Sequence, residues 1–164
     1  MNKIALSGSM GAGKDYICNK IIDMYPQYQR RAFADKLKEM VYDTFEVTKN
    51  HDHGREILQD YGKIGRLVDT LYWVKRALEK EPHYVVVTDL RFKNEAKYLR
   101  EHGYKIVRVT ASDETRKSRV KISNESDISE HDLDDYDFDG YIDNDNVTEG
   151  NLEKQIKKLI GEDK

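Results

Sequence analysis

The chain has 164 residues, enough for one domain with one substantial core. Charged residues make up 36% and the apolar set 38%, with a formal charge of −3; without a basic excess a nucleic acid polymer fits poorly as a partner, whereas a single nucleotide fits if basic residues converge locally. No apolar run approaches about 18 residues and no charged-then-apolar leader opens the chain, so neither a membrane span nor a signal peptide is expected, and the location reads as cytoplasmic. The single cysteine, Cys18, has no disulfide or metal-ligand companion and reads as a small core residue in a reducing compartment.

In chain order, KIALS (3–7) is a short apolar run ending at a glycine, as a buried strand does. The stretch LSGSMGAGKDY (6–16) follows the phosphate-loop pattern G-x-x-x-x-G-K-[ST] at Gly8, Gly13 and Lys14 but carries Asp15 in the last position. Ile17, Ile21, Ile22 and Tyr25 recur at helical spacing, and Pro26 stops that helix. QRRAF (29–33) reads as a second strand and 34–46 as a helix, followed by a polar break at 47–54. From 55 to 80 an apolar stripe predicts one or two helices, with Gly62 and Gly65 marking a bend or a close approach.

YVVVTD (84–89) is a β-branched run of the kind buried on both faces. A helix over 92–103 closed by Gly103, a strand over 105–110, a basic and mobile-looking segment over 112–121, a last strand over 140–144 and a closing amphipathic helix over 151–160 complete the chain. Strands alternating with helices argue for a parallel sheet covered on both faces, in a single domain over 1–164. The one compositional shift is 125–145, with ten acidic residues and no Lys or Arg. It reads as a solvated acidic loop, or as a segment facing residues 116–121 or a nucleotide.

The loop carries the strongest chemistry. Glycines let successive backbone N–H groups point at phosphate oxygens, the following helix adds its N-terminal partial charge, and Lys14 can reach the outer phosphates. Asp15 makes sense beside a cation, as a magnesium ligand or water holder, or else as a helix cap. Asp89 closes an apolar strand on the side where open sheets bind ligands, and suits magnesium or an acceptor; Arg91 could fork onto an acceptor phosphate. Otherwise they are a turn aspartate and a surface arginine. Arg116 and Arg119 share a helix face, as in an arginine-bearing lid over phosphates, or simply an exposed basic face. Asp35 and Lys38 follow the second strand near the same rim. Trp73 is a core residue or a base-stacking platform; His51 and His53 read as an exposed loop, and His131 has no nucleophilic arrangement around it.

Five stretches in this order, SGSMGAGKD, FADKLKEM, LQDYGKIGRLVDTLYWVKRAL, VVVTDLRFKNEAKYLREHGYKIVRV and SEHDLDDYDFDGYIDNDNVTEGNLEKQI, cover nearly the whole chain. Together they resemble the deoxynucleoside monophosphate kinases of bacteriophages, in a P-loop kinase group that also includes the animal-type phosphomevalonate kinases. Both relatives carry Asp after the loop lysine. The resemblance implies a P-loop, nucleoside-monophosphate-kinase-like three-layer α/β fold with a five-stranded parallel sheet flanked by helices. It implies ATP and Mg2+ as the donor pair and a deoxynucleoside monophosphate as acceptor, in the cytoplasm of the host cell if the chain is phage-encoded.

On that resemblance Gly8, Gly11, Ala12, Gly13, Lys14, Asp15, Tyr16 and Asn144 would hold the nucleotide, with Asp15 and Asp89 toward the metal. Asp35, Lys38, Arg66, Trp73 and Arg91 would line an acceptor side built over 34–80, and Arg116 and Arg119 would belong to a lid over 112–123. Lys14, Asp89, Arg91, Arg116 and Arg119 would carry the transfer. The chain is shorter than the T-even phage type between 46 and 55, so base selection is not implied. Phosphomevalonate kinase, dephospho-coenzyme A kinase-like chemistry and a non-catalytic P-loop switch stay as alternatives, and the oligomeric state, a homodimer included, stays open.

Overall fold

The computed structural model of the chain describes residues 2–121, 128–145 and 147–162. Its strands are β1 (Lys3–Ser7), β2 (Gln29–Arg31), β3 (Val85–Val87), β4 (Lys105–Thr110) and β5 (Gly140–Asp143). Its helices are α1 (Lys14–Met24), α2 (Phe33–Phe45), α3 (Gly54–Val68), α4 (Tyr72–Ala77), α5 (Lys93–Glu101), α6 (Asp113–Arg119), α7 (Ile128–His131) and α8 (Glu149–Ile160). The strands form one five-stranded parallel sheet flanked by helices, in the order β2-β3-β1-β4-β5. Ile4 lies opposite Val86 of β3 and Lys105 of β4, and Val109 lies opposite Ile142 of β5. Compactness divides the chain into two units, Met1–Arg30 with Pro82–Lys164, and Arg31–Glu81.

The first unit is built on strand alternation. Ile4, Leu6, Val86, Val107, Val109 and Ile142 face one way and pack with Ile17, Cys18 and Ile21 of α1 and Leu152, Ile156 and Leu159 of α8. The intervening residues Ala5, Val85, Val87 and Ile106 are buried as well, and α5, which packs against β4, buries Ala96 and Leu99. Fully buried aliphatic side chains contribute about 1.5–3 kcal/mol each, so the three central strands supply the rigid floor from which the loops rise. The ends of the strands are punctuated locally. Glu95 accepts from the Phe92 N–H at 3.1 Å, closing the N-terminus of α5, and Ser112 Oγ accepts from the Thr115 N–H at 3.3 Å, closing that of α6.

The second unit consists of α2, α3 and α4, which pack on one another. The expectation of a close approach at Gly65 is met: a Cβ there would lie 2.6 Å from the Trp73 ring, and the Trp73 indole N–H donates to the Gly62 carbonyl at 2.9 Å. Of the one or two helices expected here, the structure has two. Asp69 ends α3 and folds its carboxylate back onto the Leu71 N–H at 2.9 Å, an aspartate turn that competes with helix continuation.

Three expectations change. The second strand stops at Arg31 and Phe33 already opens α2, because burying the Phe33 ring outweighs its β propensity. Residues 113–119, read as mobile-looking though with a cap-like start and Arg116 and Arg119 on one helix face, form an ordered helix capped by Ser112. The acidic stretch is not a solvated loop throughout: it contains α7, β5 and several ion pairs to α5 and β4. Residues 122 and 123 of the expected lid, and 125–127 of the acidic stretch, lie outside the described residues.

Candidate active site

The site is assembled where β1 gives way to α1. Gly13 occupies the N-cap position with φ +96°, a left-handed conformation, and a Cβ there would lie 2.2 Å from Asn144 Nδ2. At the other end of the loop a Cβ on Gly8 would lie 2.5 Å from the Val109 carbonyl oxygen. The backbone therefore curls in contact with β4 and with the residue after β5, and only glycine fits at either end. Lys14, the first residue of α1, donates through Nζ to the Gly8 carbonyl and, at 3.4 Å, to the Ser9 carbonyl. Burial pushes its ammonium down to about 8, and Arg91 adds to the effect, while Glu130 and Asp15 oppose it.

Asp15 is not the helix cap, because Gly13 holds that position without a side-chain cap. Its carboxylate lies in the first turn of α1, 74% exposed, 3.4 Å from Arg30 Nε. A carboxylate at a helix N-terminus is favoured by the helix dipole, and here the neighbouring cation is an arginine from β2. Asp89 follows β3 by two residues and is partly buried. Among the described residues no three His, Cys, Asp or Glu side chains converge as a metal cage. His51 and His53 are exposed and pair with Thr48 and Glu56.

The arginines of α6 sit on the outside of the loop. Arg116 donates to the Met10 carbonyl at 3.1 Å and to Asp113 at 2.6 Å. Arg119 donates through Nη1 to the Gly11 and Ala12 carbonyls, both at 3.4 Å, and through Nη2 to the Asn144 carbonyl at 2.8 Å. The loop carbonyls of Met10, Gly11 and Ala12 are thus satisfied by arginine forks. Asn144 is buried, and its amide donates to the Ala12 carbonyl at 2.8 Å. Beside these groups lies a cleft of about 470 Å³ lined by Gly13, Tyr16, Arg119, Asn144, Val147 and Leu152. It has an aromatic wall, an apolar floor and a cation, the composition of a small-molecule site.

Two residues here were missed by sequence reasoning. Glu130, in α7, accepts from the Met10 N–H at 2.8 Å and from Arg91 Nη1 at 3.0 Å. Arg108, in β4, donates to Ser7 Oγ at 3.2 Å and to Asp134 at 2.8 Å. For Arg108 a signal existed: a charged residue inside the apolar run KIVRVT needs a partner when its strand is buried.

The structure thus gathers Gly8, Gly11, Ala12, Gly13, Lys14, Tyr16, Arg116, Arg119 and Asn144 around one loop, with Arg91 near enough to depress Lys14. Asp35, Lys38, Arg66 and Trp73 belong to the helical unit. Lys38 pairs with Asp35 at 3.2 Å, and Arg66 is exposed. Trp73 is 5% exposed with its indole N–H spent on Gly62, which corresponds to the packing role and not to a base platform.

A family model for the AAA domain matches residues 4–139. The chain belongs to this family. A protein of Acanthamoeba polyphaga mimivirus named "Putative deoxynucleotide monophosphate kinase" is 27% identical to this AAA-domain chain over 159 residues, covering 73% of the chain and 81% of the viral protein. An uncharacterized protein of Ictalurid herpesvirus 1, ORF76, is 29% identical over 108 residues; the match covers 61% of the chain and 44% of the viral protein, so the chain spans less than half that relative's length. Among solved structures, TT1252 from Thermus thermophilus superposes with a TM-score of 0.63 at 15% identity, covering 100% of both chains. Shikimate kinase from Bacteroides thetaiotaomicron does so with a TM-score of 0.53 at 11% identity, covering 98% of this chain and 97% of the kinase. At these identities the structural likeness establishes the fold, that of the P-loop kinases.

The depressed Lys14 gives a pH dependence with a definite sign. The protonated amine is the form that attracts phosphate, and a bound polyanion restores its basicity. On the reading of the loop as an anion cradle, affinity for sulfate, whose charge is constant over this range, is level below about pH 7 and falls as pH rises through about 8, approaching a tenfold loss per unit. Calorimetric titrations between about pH 6.5 and about pH 9.5 check this, and an affinity that stays level across that range refutes it.

Proposed function

We propose that the chain is an ATP-dependent nucleoside monophosphate kinase with a deoxynucleoside monophosphate as acceptor, giving a dNDP and ADP. The observation that carries the reading is the convergence of Lys14, Arg116 and Arg119 on one glycine loop at the head of α1, with Arg91 close by. Phosphoryl transfer is mainly positioning and neutralisation of charge, and four cations at one loop suit it. The name carried by the mimivirus relative supports the choice of acceptor.

Gly13 lets the loop pass Asn144 and Arg119 closely, since a Cβ there would lie 2.2 Å from Asn144 Nδ2 and 3.6 Å from Arg119 Nη1, which suits a loop proposed to hold phosphates. In the proposed mechanism Lys14 leaves the Gly8 carbonyl for the donor's outer phosphates, and the N–H groups of Gly11, Gly13 and Lys14 hold the inner ones. Tyr16 and Asn144 flank the cleft proposed for the adenine. Arg91 orients the acceptor phosphate, with Asp35, Lys38 and Arg66 proposed as further acceptor-recognition residues. Arg116 and Arg119 neutralise charge and exclude water. Asp15 and Asp89 would hold magnesium, which when bound supplies further neutralisation of the donor phosphates. An acceptor phosphate oxygen forms the new P–O bond, the bond to the ADP leaving oxygen breaks in line, and no covalent enzyme intermediate forms.

The deciding experiment is ADP release from Mg-ATP with each of the four common dNMPs, AMP and phosphomevalonate as separate acceptors. Stimulation by one or more dNMPs is expected. Stimulation by phosphomevalonate alone, or slow hydrolysis indifferent to every acceptor, overturns the reading.

A further inference from the structure

We propose that Glu130 is a positioning residue that ties the phosphate loop to Arg91. Its side chain is 10% exposed, although it lies within the most acidic stretch of the chain. A buried carboxylate needs partners for both oxygens, and Glu130 has them on two different elements. Oε2 accepts from the Met10 N–H of the loop at 2.8 Å, and Oε1 accepts from Arg91 Nη1 at 3.0 Å. Ser129 Oγ accepts from the same nitrogen at 3.1 Å.

The backbone of Arg91 is fastened as well, its N–H donating to Glu95 at 3.0 Å. Among the described residues, the guanidinium's hydrogen bonds run through Nη1, and the side chain remains 42% exposed. Glu130 thus holds one edge of the fork and leaves the rest available for a phosphate. Because the same carboxylate grips the loop, one side chain links Arg91 directly to the loop. The kinetic half of this proposal rests on Arg91 as the acceptor-phosphate residue; the structural half does not.

The test uses Glu130→Gln, Glu130→Ala, Arg91→Ala and the Glu130→Gln/Arg91→Ala pair. Exchange of the Met10 amide proton, read by NMR without any acceptor, accelerates by about tenfold or more in Glu130→Ala, and also accelerates in Arg91→Ala because the tie is shared. In Glu130→Gln it falls between wild type and Glu130→Ala, because the single amide oxygen can still accept from Met10 but no longer from Arg91 as well. Exchange unchanged in Glu130→Ala or in Arg91→Ala overturns the tie, and this holds even if the kinase reading fails. In turnover, Glu130→Gln raises the dNMP KM by about tenfold with a smaller fall in kcat, and adds nothing further in the Arg91→Ala background. A lowered dNMP KM in Glu130→Gln would make the carboxylate a competitor of the acceptor, and independent, multiplying effects would separate the two residues; either result overturns the proposal.

Discussion

Lys14→Ala is expected to remove the proposed ATP-dependent phosphoryl transfer, lowering turnover on the order of 10²–10³-fold or more, and to leave the fold intact. The ammonium is the one loop cation carried on the helix that follows the glycines, and its contacts are the Gly8 and Ser9 carbonyls. Those carbonyls are weak partners for a charge that burial already disfavours, as its lowered pKa records. An incoming phosphate replaces them with a full opposite charge, so the interaction grows where transfer needs it. Removing the amine removes an unfavourable buried charge, and the melting temperature is expected to hold or rise slightly. Turnover assays beside thermal melts of both proteins decide the matter. A Lys14→Ala variant with near-normal turnover sinks the kinase assignment, while one that fails to melt cooperatively would show that the amine supports the fold.

What could be read ahead of the structure was what is local. The β1–loop–α1 junction is legible because strand, glycines, lysine and helix follow within about twenty residues, each with its own backbone requirement. The VVV run of β3 is legible because burial on both faces leaves no polar alternation. Arg116 and Arg119 were legible as a pair on one helix face, but not as ligands of loop carbonyls more than a hundred residues earlier.

Glu130 shows why the rest was not. In the sequence it is one acid among ten in its stretch, with nothing local to set it apart. Its distinction comes from the Met10 amide 120 positions away and from Arg91 on another element. Asp15 is a similar case: its neighbour is Arg30, brought up by β2 at the edge of the sheet. Trp73 was balanced between packing and stacking until the Gly62 carbonyl and the missing Cβ of Gly65 placed it inside the helical unit.

Gly13→Ala is expected to abolish nucleotide binding, and Gly103 provides the control that isolates the cause. Both glycines have φ in the left-handed region, +96° at Gly13 and +81° at Gly103. A side chain at either costs about 1–2 kcal/mol in backbone strain. At Gly103 a Cβ meets nothing within 4 Å, so Gly103→Ala loses stability by that amount and keeps nucleotide affinity. At Gly13 the Cβ would lie 2.2 Å from Asn144 Nδ2, an atom held by the Ala12 carbonyl. Asn144 cannot yield without releasing that carbonyl, and Arg119 is tied to the Asn144 carbonyl as well. The clash therefore propagates into the loop, α6 and the cleft together, and Gly13→Ala loses more stability than Gly103→Ala as well as its nucleotide affinity. Thermal melts and calorimetric Mg-ATP titrations of the two variants separate strain from fit. Equal destabilisation with retained binding in both would mean that the loop tolerates a methyl group at its tightest point, and would remove Asn144 from the nucleotide site.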